Sequence, residues 1–191
     1  MEYTRNLLWF FGICLSAEAR PRAVELVDRL CDDWLLDTRP SLDARRLHIT
    51  LYPIGSFLDS PARTIANACA AADTLSVAPF EVSLDRAVTR TTRDGDSDLV
   101  LTSDDGCEAL VSFQQRMHSA MRLAGVRTVK AWTFRPHMTL RYNEHTLVDQ
   151  KVPPLTWRVD EFVLIESLHG RTIHNHLRKW PLVDKRLTAA A

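Results

Sequence analysis

The chain is 191 residues long and 46% hydrophobic, with 24 basic and 24 acidic side chains. That length allows one domain, or two small lobes sharing one core, and the apolar fraction is enough to pack an interior. A formal charge of zero argues against a broad basic face that tracks long nucleic acid, but leaves room for a local cluster that holds a small anion or a strand end.

Residues 7–15 (LLWFFGICL) form a continuous apolar run with aromatics, the mark of a buried strand, and the run is too short to span a bilayer. It lacks the form of a secretory leader, so a cytoplasmic protein without a membrane partner is expected. Ser16 is placed to cap a helix with Pro21 in its first turn. Val24, Val27, Leu30, Cys31, Trp34 and Leu35 then recur at helical spacing, and Pro40 lies beyond the helix end. A strand carrying His48 follows. Ser60-Pro61 opens a second helix that runs to about Ala72. Residues 80–90 (FEVSLDRAVTR) alternate like a half-exposed strand. The segment R-D-G-D-S-D at 93–98 reads as a turn, because a calcium loop would need glycine where Leu99 stands.

Residues 98–102 (DLVLT) predict a short strand, and Ser103–Asp105 offer a helix cap with acids near the helix start. Leu110, Phe113, Met117, Ala120, Met121 and Ala124 make the helical stripe, and Gly125 closes it. The strand carrying His137 comes next. Residues 158–167 and 176–182 read as two closing strands. Cys14, Cys31, Cys69 and Cys107 show no C-x-x-C and no framework spacing, which fits reduced thiols.

Strand, helix, histidine strand thus occurs twice, at about 7–54 and 98–142. The distance from strand start to histidine is 41 residues in one copy (7 to 48) and 39 in the other (98 to 137). The histidine strands read L-H-I-T-L at 47–51 and P-H-M-T-L at 136–140. Histidine, aliphatic, threonine, aliphatic is expected by chance about 0.04 times in a chain with seven histidines. On a strand, residues two apart share a face. His48, Thr50 and Tyr52 are then in phase, as are His137, Thr139 and Arg141, with the aliphatic residues turned to the core. Two imidazoles and two hydroxyls facing one another fit a tetrahedral anion. The hydroxyls donate to phosphoryl oxygens, while one imidazole takes a proton from water and the other gives one to the leaving oxygen. This chemistry needs no metal and no cofactor.

Two H-Φ-T-Φ motifs (Φ, aliphatic) on duplicated units resemble the two-histidine (2H) phosphoesterase superfamily, and more closely the bacterial RNA 2′,3′-cyclic phosphodiesterases, also called 2′-5′ RNA ligases. The opening R-N-L-L-W-F-F-G-I-C-L and the closing H-L-R-K-W-P-L are similar to that family's first and last strands, so the likeness covers most of the chain. Two departures are Y-P-I-G after the first motif, with Gly55 kept, and His176 where an aromatic is common. The resemblance implies an α+β bilobal fold over residues 1–191, with two pseudo-symmetric lobes. Each lobe would carry an antiparallel sheet packed by helices, with the active-site groove between them. It implies hydrolysis of an RNA 2′,3′-cyclic phosphate end to a 2′-phosphate, with 2′-5′ ligation as the reverse reaction. His48 would be the proton donor and His137 the proton acceptor, with Thr50 and Thr139 holding the phosphate. The partners would be RNA 3′ ends or nucleotides with a 2′,3′-cyclic phosphate, and a monomer is expected.

Other residues have two readings each. Arg141 is placed either to offset phosphoryl charge or to serve as a salt-bridge partner. Tyr52, Phe11 and Phe134 either stack on a base or pack. Lys130, Arg135, Arg45 and Arg46 precede the motifs and either guide a phosphate backbone or are ordinary surface charges. A zinc site from His169, His174 and His176 lacks a completing ligand at a known spacing, and H-N-H-L-R at 174–178 fails the H-x-H-x-H of the histidine-triad hydrolases. A non-catalytic RNA-end or nucleotide-binding module on the same fold stays open, because binding needs the same residues.

Overall fold

The first apolar run becomes β1 (Leu7–Cys14), followed by α1 (Ala19–Trp34) and β2 (His48–Phe57). Then come α2 (Ala62–Asp73), β3 (Phe80–Thr91), β4 (Ser97–Thr102), α3 (Glu108–Leu123) and β5 (Met138–Arg141). The chain closes with β6 (Asp149–Val159), β7 (Glu161–Leu168) and β8 (Ile173–Pro181). This computed structural model describes residues 7–34, 43–58, 60–91, 95–105, 107–128, 133–142, 144, 146–168 and 173–183.

The strands form two antiparallel four-stranded sheets, in the orders β2-β1-β7-β8 and β5-β4-β3-β6. The duplication in the sequence is therefore a duplication of topology. In each sheet a motif strand lies at the edge, paired with the strand that precedes its helix. The two edge strands, β2 and β5, approach one another. The fold is α+β and bilobal, as the resemblance implies.

The helices are held mainly by packing. A 16-residue segment such as α1 is marginal in water on its own. Its stripe of Ala19, Ala23, Leu26, Val27, Leu30 and Cys31 is buried in the main core. That core draws on both sheets and all three helices, with Phe11, Leu84, Phe113 and Phe162 among its members. Phe10, Val163 and Ile165 form a smaller cluster, with Cys14 packed against it. Phe10 and Phe11 are neighbours on a strand and so serve opposite faces.

Local signals account for most element ends. Ser16 caps α1 as expected, accepting from the Ala19 N–H with its side chain. Gly125, at φ +73°, ends α3, and the Val126 N–H returns to the Met121 carbonyl. Other expectations are corrected. Ser103–Asp105 do not cap α3, which starts at Glu108 after Cys107 and has no side-chain cap. The Ser103 hydroxyl instead lies within hydrogen-bond reach of the Asp85 carboxylate and the Asp105 carbonyl, with its one proton to share between them. Residues 158–167 are not one strand, because the chain breaks at Asp160 between β6 and β7. Pro153-Pro154 disguises β6 in the sequence; its edge position tolerates the missing donors. Leu35, Pro40, Arg93, Asp94 and His169 lie outside the described residues.

Candidate active site

Each motif is followed by a β-bulge at its leucine. Along β1, Gly12 pairs with Thr50 and Phe11 with Tyr52, so Leu51 has no partner. Along β4, Val100 pairs with Thr139 and Leu99 with Arg141, so Leu140 has none. One extra residue reverses the face of the residues that follow it, as far as the next irregularity. This corrects the phase expected for two site residues. Tyr52 is 1% exposed, lies in the main core, and donates its hydroxyl to the Val126 carbonyl at 2.8 Å. Arg141 hydrogen-bonds Cys31 Sγ on α1 at 3.5 Å and pairs with the buried Glu144 carboxylate at 3.3 Å. Neither joins the histidine face.

The two histidines are held in the same way. His48 Nδ1 lies 2.8 Å from the Arg46 carbonyl, and His137 Nδ1 lies 2.7 Å from the Arg135 carbonyl. A carbonyl only accepts, so each Nδ1 carries the proton and donates it, and each Nε2 is left with its lone pair. His137 stands one residue before β5 begins. The two rings are close enough for a charge on His137 to lower the pKa of His48.

Their surroundings differ. The His48 ring stacks on Phe10, with centroids 4.8 Å apart, and meets the His174 ring edge-on at 5.1 Å. Burial pushes the His48 pKa down to about 4, and His174 falls to about 4 from the same main cause. His174 Nδ1 is buried without a hydrogen-bond partner among the described residues. His137 instead receives the Arg90 guanidinium at Nε2, 3.0 Å away. Burial, more than Arg90, lowers its pKa. Thr50 and Thr139 are half-buried beside their histidines, with the Tyr142 phenol near the Thr139 side chain. Arg46 Nε is buried with no partner among the described residues, and its charge reaches both His48 and His174.

The structure thus brings His48, Thr50, His137 and Thr139 to the facing edges of the two sheets. Phe11 is corrected to a core residue, fully buried and edge-on to Phe162 and Trp180. Phe134 packs against the main core. Arg135 is exposed, and its carbonyl fixes His137. Arg45 is exposed and pairs with Asp43 at 2.9 Å. Lys130 lies outside the described residues. Phe10 and Arg90 are additions that sequence reasoning missed, and His174, weighed in the sequence only as a zinc ligand, joins them beside His48. His176 is exposed on β8, and the described residues contain no group of three side chains able to hold a metal. A cavity of about 760 Å³ lies between α2 and α3 and contains none of these residues. No helix among the described residues is long and apolar enough to cross a membrane.

The depressed imidazoles link the site to stability. An unfolded histidine titrates near 6.5, whereas His48 and His174 in the folded chain titrate at about 4. Below pH 6.5 the unfolded chain binds protons that the folded chain refuses, so stability present above 6.5 is lost as pH falls toward 4. The melting temperature is expected to drop between pH 7 and pH 5, and His174→Phe, which keeps the ring and removes the titration, to shrink that drop. An equal drop in the variant would show that His174 contributes nothing to it.

Comparison with known proteins agrees with this fold. Among solved structures, E. coli LigT complexed with 3′-AMP is 23% identical, with 93% of this chain and 98% of that chain covered and a TM-score of 0.71. E. coli LigT complexed with phosphate is 24% identical over 94% and 99% of the two chains, with a TM-score of 0.67. TT0787 of Thermus thermophilus is 22% identical over 92% and 97%, with a TM-score of 0.66. These likenesses establish the shared fold. No curated protein matches the chain. The family model described as the 2′-5′ RNA ligase superfamily matches residues 18–171, which span both histidine strands. The chain belongs to the 2′-5′ RNA ligase superfamily, the two-histidine phosphoesterases.

Proposed function

We propose that this protein is a metal-independent RNA 2′,3′-cyclic phosphodiesterase that opens the cyclic phosphate at an RNA 3′ end to a 2′-phosphate. The observation that carries the reading is the matched pair of imidazoles, each with Nδ1 tied to a carbonyl and Nε2 left to work on the proton. His137 Nε2 takes a proton from water, whose oxygen bonds to phosphorus. The bond from phosphorus to the 3′ oxygen breaks, and His48 Nε2 gives that oxygen a proton. Thr50 and Thr139 donate to the non-bridging oxygens. The reverse direction would join a 2′-phosphate end in a 2′-5′ linkage. Similar folds hold fitting ligands, since E. coli LigT has been crystallised with 3′-AMP and with phosphate. The protein would act on RNA ends or nucleotides in the cytoplasm as a monomer, with residues 1–191 as one bilobal unit.

The free enzyme imposes one condition. With a pKa of about 4, His48 is uncharged near neutrality and cannot yet serve as an acid. An anionic phosphoryl group beside it favours the charged ring and raises that pKa, so substrate binding would load the donor. The test is turnover of 2′,3′-cyclic AMP in excess EDTA, with the product regiochemistry read by phosphorus NMR. The 2′-phosphate is expected at an undiminished rate. A 3′-phosphate would reverse the leaving group, loss of rate in EDTA would implicate a metal, and binding without turnover would favour a non-catalytic end-binding module.

A further inference from the structure

We infer that Arg90 is the positioning residue for the base: it caps His137 Nε2 in the free enzyme and moves to a phosphoryl oxygen when substrate arrives. This rests on the reaction proposed above and adds a residue that neither motif contains. Arg90 sits on β3, 47 positions before His137, yet its Nη2 lies 3.0 Å from His137 Nε2. The other ring nitrogen already donates to the Arg135 carbonyl. A guanidinium has donors only and keeps its charge at any working pH. It can therefore be satisfied at Nε2 only by the lone pair of a neutral ring. The contact adds to burial in opposing a charge on His137 and, at the same time, occupies the lone pair a base must use.

The groups facing His137 set the balance. From β3, Arg90 opposes a charge on the ring, and from β4, Asp98 favours one. The adjoining Arg135 contributes its carbonyl, which also favours the charged ring. From β2, His48 stands close enough for the two rings to repel when both are charged. Arg90 is itself half-buried and poorly hydrated, and burial lowers its pKa. An anionic phosphoryl oxygen is a stronger acceptor for a guanidinium than a neutral imidazole nitrogen. Arrival of the phosphate therefore draws Arg90 off Nε2, frees the lone pair for water, and places a cation where transition-state charge collects. Around His48 the described residues show no guanidinium hydrogen-bonded to the ring: Arg46 acts on it through its carbonyl and its charge, while Phe10 and His174 pack against it. That asymmetry is what separates base from acid in an otherwise matched pair.

Arg90→Gln and Arg90→Lys test this in the full chain. The readouts are the His137 imidazole titration by NMR, the affinity for inorganic phosphate, and the pH profile of 2′,3′-cyclic AMP hydrolysis. In Arg90→Gln, His137 is expected to titrate at higher pH, phosphate to bind at least about tenfold more weakly, and the acid limb of kcat/KM to move to higher pH. The sign follows from the cation: its removal lets the ring hold its proton longer, so activity falls more at pH 5 than at pH 8. Arg90→Lys keeps the charge without the fork and should fall between wild type and Arg90→Gln. An unchanged His137 titration, or weakened phosphate binding with no shift of the acid limb, overturns the inference. If wild type hydrolyses no cyclic phosphate, the proposed reaction fails, while the titration and phosphate arms still decide the cap.

Discussion

Replacing His48 or His137 with alanine is expected to lower kcat for 2′,3′-cyclic AMP by about 100-fold or more, the usual range for removing a general acid or base. The two losses should look alike in rate and differ in pH dependence. Wild type should give a bell whose apparent pKa values belong to the pair. Without His137 the rise on the acid side disappears, and without His48 the fall on the alkaline side disappears. The low pKa of His48 adds a further expectation. The kcat/KM profile reports the free enzyme, where burial holds His48 at about 4, and kcat reports the complex, where the phosphate raises it. The kcat optimum should therefore lie at higher pH than the kcat/KM optimum. His48→Ala also removes the ring stacked on Phe10, so its melting temperature must be measured alongside the rate. Near-wild-type kcat in either folded variant would remove that histidine from the chemistry.

Phe11→Ala is expected to destabilise the protein by about 3–5 kcal/mol, the range for emptying a buried phenylalanine site. That is a large share of the stability of a domain this size. Phe11 is fully buried edge-on to the stacked pair Phe162 and Trp180, with ring centroids at 6.0 and 5.5 Å, in a core shared by both sheets. Its neighbour predicts the opposite pattern. Phe10→Leu nearly conserves volume and should cost less than about 1.5 kcal/mol, but it withdraws the surface that orients His48 and should lower kcat severalfold. Urea unfolding and steady-state kinetics on both variants separate the two roles. Wild-type kcat in Phe10→Leu would make the stack incidental.

The contrast between Phe10 and Phe11 shows where sequence reading stops. The run LLWFFGICL announces a buried strand, and helical stripes with Gly125 mark the units around the two H-x-T-L motifs. These signals are local, and the sheets, helices and histidine strands follow them. Which of two adjacent phenylalanines faces His48 depends on register against β2, a property of the pair of strands. Nothing in the sequence around Leu140 marks its bulge, and the glycine at the other bulge, Gly12, stands on the partner strand opposite Thr50, so strict alternation assigns Tyr52 and Arg141 to the wrong face. Arg90 was hidden for another reason. On β3 it looks like Arg86, which pairs with Asp104 and Asp149 at the surface, each at 2.8 Å. Only the tertiary fold distinguishes an arginine that reaches an imidazole from one that reaches two carboxylates.

The paired bulges divide each motif strand into two independently editable halves. Residues before the extra leucine carry the histidine face proposed for proton transfer, and residues after it serve interior volume or an anchoring ion pair. Deleting Leu51 or Leu140 would restore simple alternation and force a choice: either the imidazole and hydroxyl rotate inward, or Tyr52 and the Arg141–Glu144 pair rotate out. Insertions and deletions at these two leucines should therefore be far less tolerated than substitutions on either side of them.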